Sequence, residues 1–158
     1  MKKKFALFFS FLLLLDIATK ILAIRFIPAI EKGGFPFGGI PIFSGDITFS
    51  LNYIVNTGAA WGSFSGYPGV LFFLRLCIIA GLLVHLFRSE KPSFSLSLIV
   101  TGAVGNAIDY YLYGHVIDFF HFTFWGYSFP IFNVADSCIT LGVMSLLLFS
   151  KSRSLQTS

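Results

Sequence analysis

The chain has 158 residues, of which 56% are hydrophobic and 11% charged, and its formal net charge is +4. Water-soluble domains carry about 25% charged residues, so this chain has too few charges to cover a small soluble protein, and lipid must cover it instead. Its basic residues lie in small groups at the edges of apolar runs. That pattern indicates membrane topology rather than a nucleic-acid-binding patch.

Four apolar stretches are long enough to cross a bilayer, which takes about 20 residues of helix. They cover residues 5–24, 70–87, 94–113 and 131–149. Only helices or closed barrels satisfy the backbone inside hydrocarbon, and these stretches lack the alternation of a barrel strand. The first has no convincing cleavage site, so we expect it to be retained as a span. The sequence therefore predicts an all-α membrane protein, a single integral membrane domain over residues 1–158. It has four transmembrane helices and a small extracytoplasmic β-containing segment.

The charges beside these stretches predict the orientation. Lysine and arginine cluster before the first stretch, between the second and third, and after the fourth. By the positive-inside rule, both termini are expected in the cytoplasm. Residues 25–69 then form an outer segment and residues 114–130 an outer loop. Within the outer segment, residues 46–55 alternate between polar and apolar, which predicts short strands. We expect residues 28–68 to act as a partly mobile lid.

Ionisable residues inside the predicted spans are costly and usually functional. Asp16 and Lys20 are four residues apart on one helix face, which suits a structural ion pair at least as well as a catalytic one. Asp109 shares a helix face with Gly102 and Asn106. That pattern is typical of close helix packing, with polar bonds to a neighbouring helix.

Asp118 and Asp136 are expected at similar depth near the outer boundary. The third predicted span ends just before Asp118, and Asp136 lies near the outer start of the fourth. Two carboxylates brought close together do not both ionise readily, so one holds a proton while the other stays charged, as acid and base catalysis requires. Asn133, three residues before Asp136, can orient that acid or its substrate.

These residues alone leave other hypotheses open. A proton-coupled transporter could use Asp16, Asp109 and Asp136 as a relay, and a non-enzymatic assembly factor could use the polar groups only to pack helices. The two histidines at positions 115 and 121 flank Asp118, which leaves a metal site as a further alternative. The sequence has no HExxH zinc motif and no nucleotide-binding glycine loop.

Five sequence blocks occur in a fixed order along nearly the whole chain. They are DIATK at 16–20, NTGAAW at 56–61, GAVGNAID at 102–109, VIDF at 116–119 and NVAD at 133–136. Each block is weak evidence alone. Together, on a chain of this size with four predicted spans, they resemble the blocks of the lipoprotein signal peptidase (signal peptidase II) family.

The resemblance implies a membrane aspartyl endopeptidase that removes signal peptides from lipid-modified prolipoproteins by cleaving before the diacylglyceryl-cysteine. It implies no cofactor, and we also expect no metal, no nucleic acid and no obligate protein partner. The resemblance also implies contact with membrane lipids and a location in the bacterial cytoplasmic (inner) membrane. The implied protein is a multi-pass protein with its active site near the extracytoplasmic face. The implied residues are Asp118 and Asp136 as catalytic; Asn56, Gly58, Asn106 and Asn133 as active-site lining; and Asp16, Lys20, Gly102 and Asp109 as structural.

One position departs from the family pattern. The family usually has arginine directly after the aspartate of the third block, where this chain has Tyr110. Such an arginine would pair with a nearby carboxylate, so Asp109 lacks its usual partner. Arg75, in the second predicted span, is a candidate to take over that pairing; otherwise it reaches the interface.

Overall fold

The structure is a computed structural model that describes residues 2–27, 39–56, 68–89 and 93–154. These residues form four helices and a four-stranded sheet. Residues 57–61 of the second sequence block, which include Gly58 and Trp61, and two parts of the predicted lid, 28–38 and 57–67, lie outside the described residues. The elements in chain order are α1 (Lys2–Phe26), β1 (Ile40–Phe43), β2 (Ile47–Asn56), α2 (Pro68–Arg88), α3 (Phe94–Tyr113), β3 (Val116–Phe124), β4 (Tyr127–Ser128) and α4 (Val134–Ser154).

The surface of the first helix is strongly apolar. Leu7, Phe11 and Leu14 of α1 are all more than half exposed. Among the described residues, one helical stretch, Ala6–Phe26, is both long enough and apolar enough to cross a membrane, and Val134–Leu148 is a shorter apolar helix. Exposed apolar surface of this extent needs lipid or a partner to cover it.

Helix α3 packs against all three other helices, and most extensively against α4. Gly102 permits this approach, because a Cβ atom there would collide with the carbonyl oxygen of Ala135 at the start of α4. Gly105 does the same for α1, since its Cβ would lie 2.5 Å from Asp16 Oδ2. The glycines of α3 therefore bring the polar groups of α1, α3 and α4 into one cluster.

The sheet is antiparallel in the order β1-β2-β3-β4. Strands β2 and β3 pair from Ile47 opposite Phe124 to Asn56 opposite Val116, with an irregularity between Leu51 and Ile54. The sequence predicted strands only near residues 46–55, and β3 was not predicted within the outer loop. Its first half is buried on both faces and lacks the polar and apolar alternation that marks a half-exposed strand, whereas residues 120–124 do alternate, a signal that the sequence analysis missed.

The end of α1 packs beneath this sheet. Ala23 and Ile27 form a buried apolar cluster with Ile117 and Phe119 of β3. Asp118 lies between those two β3 residues in the chain, so the packing of its neighbours fixes its position at the junction of the sheet and the helices.

Candidate active site

Asn133 and Asp136 form a reciprocal capping box at the start of α4. Asn133 Oδ1 accepts a hydrogen bond from the Asp136 backbone N–H at 2.8 Å. In return, Asp136 Oδ2 accepts one from the Asn133 backbone N–H at 3.3 Å. A helix start leaves its first N–H groups without intrahelical partners, and such a box satisfies two of these donors. It also fixes the Asp136 carboxylate at the N-terminal end of the helix.

The same asparagine contacts the other candidate carboxylate. Asn133 Nδ2 donates to Asp118 Oδ1 at 2.7 Å and to the Ile117 carbonyl oxygen at 3.2 Å. Asn133 is fully buried, and Asp118 is only 3% exposed. The Asn133 side chain therefore bonds the Asp118 carboxylate and the Asp136 backbone N–H, so Asn133 links the two residues that the sequence analysis paired.

Two further asparagines each donate to one aspartate. Asn56, at the end of β2, donates from Nδ2 to Asp118 Oδ2 at 3.0 Å. Asn106, on α3, donates from Nδ2 to Asp136 Oδ1 at 2.8 Å. The Asn106 Oδ1 atom in turn accepts a bond from Asn133 Nδ2 at 3.1 Å. Side chains from β2, α3 and the start of α4 thus orient both carboxylates.

Beneath the aspartates, Lys20 is the centre of a buried charged group. Its Nζ atom lies 2.8 Å from Asp16 Oδ2 and 2.7 Å from Asp109 Oδ2. It also donates to Asn106 Oδ1 at 3.1 Å. Lys20 and Asp16 are each 2% exposed, and Asp109 is 3% exposed. The ion pair expected between Asp16 and Lys20 is present, and it extends to a third helix.

The two carboxylates that Lys20 binds also hold the backbone next to the candidate catalytic residues. Asp16 Oδ1 accepts from the Ala135 N–H at 2.8 Å, one residue before Asp136. Asp109 Oδ2 accepts from the Ile117 N–H at 3.3 Å, one residue before Asp118. No sequence pattern indicated these two bonds, because each joins a side chain to a backbone group on a separate element.

Arg75 does not take over the pairing of Asp109, so that hypothesis was wrong. Lys20 is the cation beside Asp109. Tyr110, in the position where the family usually has arginine, instead stacks on Phe72 of α2, with ring centroids 4.9 Å apart and ring planes at 24°. Arg75 lines a cavity next to the candidate site.

That cavity has a volume of about 390 Å³ and lies between α2, α3 and α4. Its polar lining consists of Asn56, Arg75, Asn106 and Asp136. The remaining walls are apolar, with Ile78, Ile79, Ala103, Ala107, Val116 and Ile139. A mainly apolar cavity with a few converging polar groups is typical of a site that binds an amphipathic molecule.

The surroundings of Asp118 favour its protonated form. Burial raises the pKa of this carboxyl from 3.8 to about 7, and the negative charge of Asp136 acts in the same direction. The bonds from Asn56 and Asn133, and the charge of Lys20, act in the opposite direction and are outweighed. Near neutral pH, Asp118 can therefore hold a proton beside a second carboxylate, which is the arrangement that acid and base catalysis requires.

The histidines near Asp118 in the sequence do not join this site as a metal cluster. His121 is three residues after Asp118 on β3 and so points to the opposite face of the strand. There its Nε2 lies 2.8 Å from Ser128 Oγ and its Nδ1 lies 3.1 Å from Asn52 Nδ2. In the parts of the chain that the structure covers, no group of three or more His, Cys, Asp or Glu side chains is placed to hold a metal ion.

Comparisons with known proteins agree in sequence and in fold. A family model for signal peptidase (SPase) II matches residues 8–151. The lipoprotein signal peptidase of Chlamydia pneumoniae is 44% identical over 108 residues, which are 65% of this chain and 64% of that one. The lipoprotein signal peptidase of Staphylococcus haemolyticus is 34% identical over 157 residues, 94% of each chain. A solved bacterial membrane enzyme is 29% identical with a TM-score of 0.76, covering 96% of this chain and 90% of that one.

Proposed function

The chain belongs to the signal peptidase II family, and on that premise we propose that it removes signal peptides from lipid-modified prolipoproteins. It cleaves the peptide bond before the diacylglyceryl-cysteine, as an aspartyl endopeptidase with Asp118 and Asp136 as its catalytic pair. The observation that carries the proposal is that the buried Asn133 bonds both carboxylates, Asp118 through its side-chain amide and Asp136 through its backbone N–H.

In the proposed reaction, Asp136 is the base and Asp118 the acid. Asp136 takes a proton from a water molecule as the water oxygen attacks the scissile carbonyl carbon. Asp118, protonated because of its raised pKa, donates a hydrogen bond to the developing oxyanion. When the intermediate collapses, the C–N bond breaks and Asp136 gives the proton that it took from water to the leaving amine nitrogen of the cysteine, which restores the starting state of the pair. The pair titrates as a unit, so each proton belongs to the dyad as a whole.

The asparagines have distinct tasks in this scheme. Asn106 and Asn133 keep the two carboxylates oriented, since they donate to Asp136 and Asp118 respectively. Asn56 donates to Asp118 from the outer segment, which positions it to bond the substrate backbone too. From the family resemblance, Gly58 belongs to the same lining.

The proposed setting is the bacterial cytoplasmic (inner) membrane, crossed by α1, α2, α3 and α4, with both termini in the cytoplasm and the sheet on the outer face. The apolar exposed side chains of α1 support contact with lipid. A signal peptide is itself an apolar helix, and its cleavage site emerges at the outer boundary. A dyad at the junction of the sheet and the helices is at the depth where that bond is presented and where water can enter. The proposed activity uses no cofactor and no obligate protein partner.

The proposal is tested by cleavage of a diacylglyceryl lipopeptide in mixed micelles by Asp118→Asn and Asp136→Asn. Each substitution keeps the shape of the side chain and removes the shared proton, so cleavage should fall by at least about 10²–10⁴-fold. Asp46→Asn is the matched control, because Asp46 is an exposed aspartate near the far end of the same sheet, and it should cleave at the wild-type rate. Near wild-type turnover by either dyad variant would exclude that residue from catalysis.

A further inference from the structure

Arg75 is a charged residue about two turns into α2, on the wall of the cavity beside Asp136. Placing a guanidinium at such a position in a membrane-crossing helix is unfavourable in free energy. Such a group is usually functional or paired with other polar groups. None of the reaction steps described above uses it.

The packing of α2 directs Arg75 into this cavity. Phe72, three residues before Arg75, stacks on Tyr110 of α3. Ile79, four residues after Arg75, is 7% exposed and lines the same cavity. Residues three and four apart share one face of a helix, so Phe72, Arg75 and Ile79 form a face that is turned towards α3. The guanidinium thus points towards the candidate active site and not to the opposite, lipid-facing side.

The other polar groups of the cavity already have partners. Asp136 accepts bonds from Asn106 and Asn133, and Asn106 Oδ1 accepts from Lys20 and Asn133. Among the described residues, the ion pairs are those of Lys20, and Arg75 takes part in no ion pair or hydrogen bond. A guanidinium has five N–H donors and no acceptor. Its donors are therefore available to a molecule that enters the cavity.

We propose that Arg75 is a substrate-binding residue whose guanidinium donates hydrogen bonds to carbonyl oxygens of the bound prolipoprotein near the scissile bond. The inference rests on the proposed function and adds a recognition element to it. A lipidated substrate is uncharged in this region, and its strong acceptors are amide carbonyls of the signal peptide and ester carbonyls of the diacylglyceryl group. The planar guanidinium can bond two such oxygens at once. Anchored there, the substrate presents its cleavage site to Asp136.

The test compares Arg75→Gln with Arg88→Gln on two synthetic lipopeptides. Arg88 is the matched control because it is an exposed arginine at the other end of the same helix. One lipopeptide carries a diacylglyceryl cysteine, and the other carries a dialkylglyceryl ether that lacks the ester carbonyls. Loss of charged hydrogen bonds should lower the kcat/KM of Arg75→Gln about ten- to a hundredfold, chiefly through KM, with an unchanged melting temperature. Arg88→Gln should match the wild-type protein.

The ether substrate identifies the acceptor. If the loss in Arg75→Gln shrinks on the ether substrate, the ester carbonyls accept the bonds; if it is equal on both substrates, the peptide carbonyls do. A KM and kcat/KM equal to those of Arg88→Gln on both substrates would overturn the inference while leaving the proposed function intact. Failure of the wild-type protein to cleave the ester substrate would overturn both. Should Arg75→Gln not fold, Arg75→Lys decides, because it keeps the charge: a raised KM supports the inference, and a wild-type KM overturns it.

Discussion

Replacing Lys20 with methionine should destabilise the fold strongly, because one ammonium group serves two buried carboxylates. Its Nζ atom lies 2.8 Å from Asp16 and 2.7 Å from Asp109, and the lysine is 2% exposed. Methionine fills similar space without the charge, so Asp16 and Asp109 would remain buried with no cation. Removing one partner of a buried ion pair costs about 3–5 kcal/mol. The lost bond to Asn106 acts in the same direction.

A second substitution tests the cause of that loss. Combining Lys20→Met with Asp109→Asn removes one of the two buried carboxylates that have lost their cation. The amide oxygen of the new side chain can still accept from the Ile117 N–H, so part of the lost stability should return. Lys3→Met is the matched control, since Lys3 is an exposed lysine on the same helix, and exposed substitutions usually change stability by less than about 0.5 kcal/mol.

The assay is equilibrium unfolding in mixed micelles, followed by far-UV circular dichroism, with the free energy of unfolding compared among the four proteins. A Lys20→Met protein within about 1 kcal/mol of wild type would refute the argument, because that is well below the cost of breaking a buried pair. A double variant that is less stable than Lys20→Met alone would also refute the argument, since the loss of stability would then not come from buried carboxylates without a cation.

Three further outcomes follow from the contacts around the dyad. Asn133→Ala removes the helix cap and the bond to Asp118, so unfolding free energy should fall by at least about 1 kcal/mol and lipopeptide cleavage should fall with it. Because the pKa of Asp118 is raised from 3.8 to about 7, its neutral form is favoured in the fold. Its contribution to the free energy of unfolding is therefore full below about pH 4 and lost as pH rises through 7. The value of kcat/KM should also decline as pH rises through 7, because Asp118 then loses its proton. Gly102→Ala should cost about 1–3 kcal/mol because its Cβ meets Ala135, whereas Gly81→Ala, where no atom lies within 4 Å, should not; thermal unfolding checks both.

Local sequence patterns predicted much of this molecule. The family inferred from five blocks is confirmed by the match over residues 8–151. The four helices begin and end near the limits of the apolar stretches, since helix length and hydropathy are local properties of the chain. Strand β2 follows the alternation that was noted at residues 46–55. The three-residue spacing of Asn133 and Asp136 predicted that the amide orients the acid or its substrate, and the structure joins the two residues by the two side-chain-to-backbone bonds of a helix cap.

What the sequence could not predict depends on contacts between distant elements. The first four residues of strand β3 are buried on both faces, so no polar and apolar alternation marks the part of the strand that holds Asp118. The partner of Asp109 is Lys20, which lies 89 residues earlier in the chain, and no local rule selects it over Arg75. The direction of Arg75 depends on the rotation of α2, which the Phe72–Tyr110 stack helps to set. In each case the deciding factor is the packing of elements, not the pattern within one.

The central claim is that Asp118 and Asp136 act as one catalytic unit, and single-turnover cleavage of a diacylglyceryl lipopeptide tests it most directly. The rates to compare are those of Asp118→Asn, Asp136→Asn and the double variant, each shown to be folded. Residues that act as a unit have strongly non-additive effects, so the account predicts that each single variant falls close to the rate of the double variant. Two independent losses whose product gives the rate of the double variant, or a single variant that still cleaves near the wild-type rate, would contradict it.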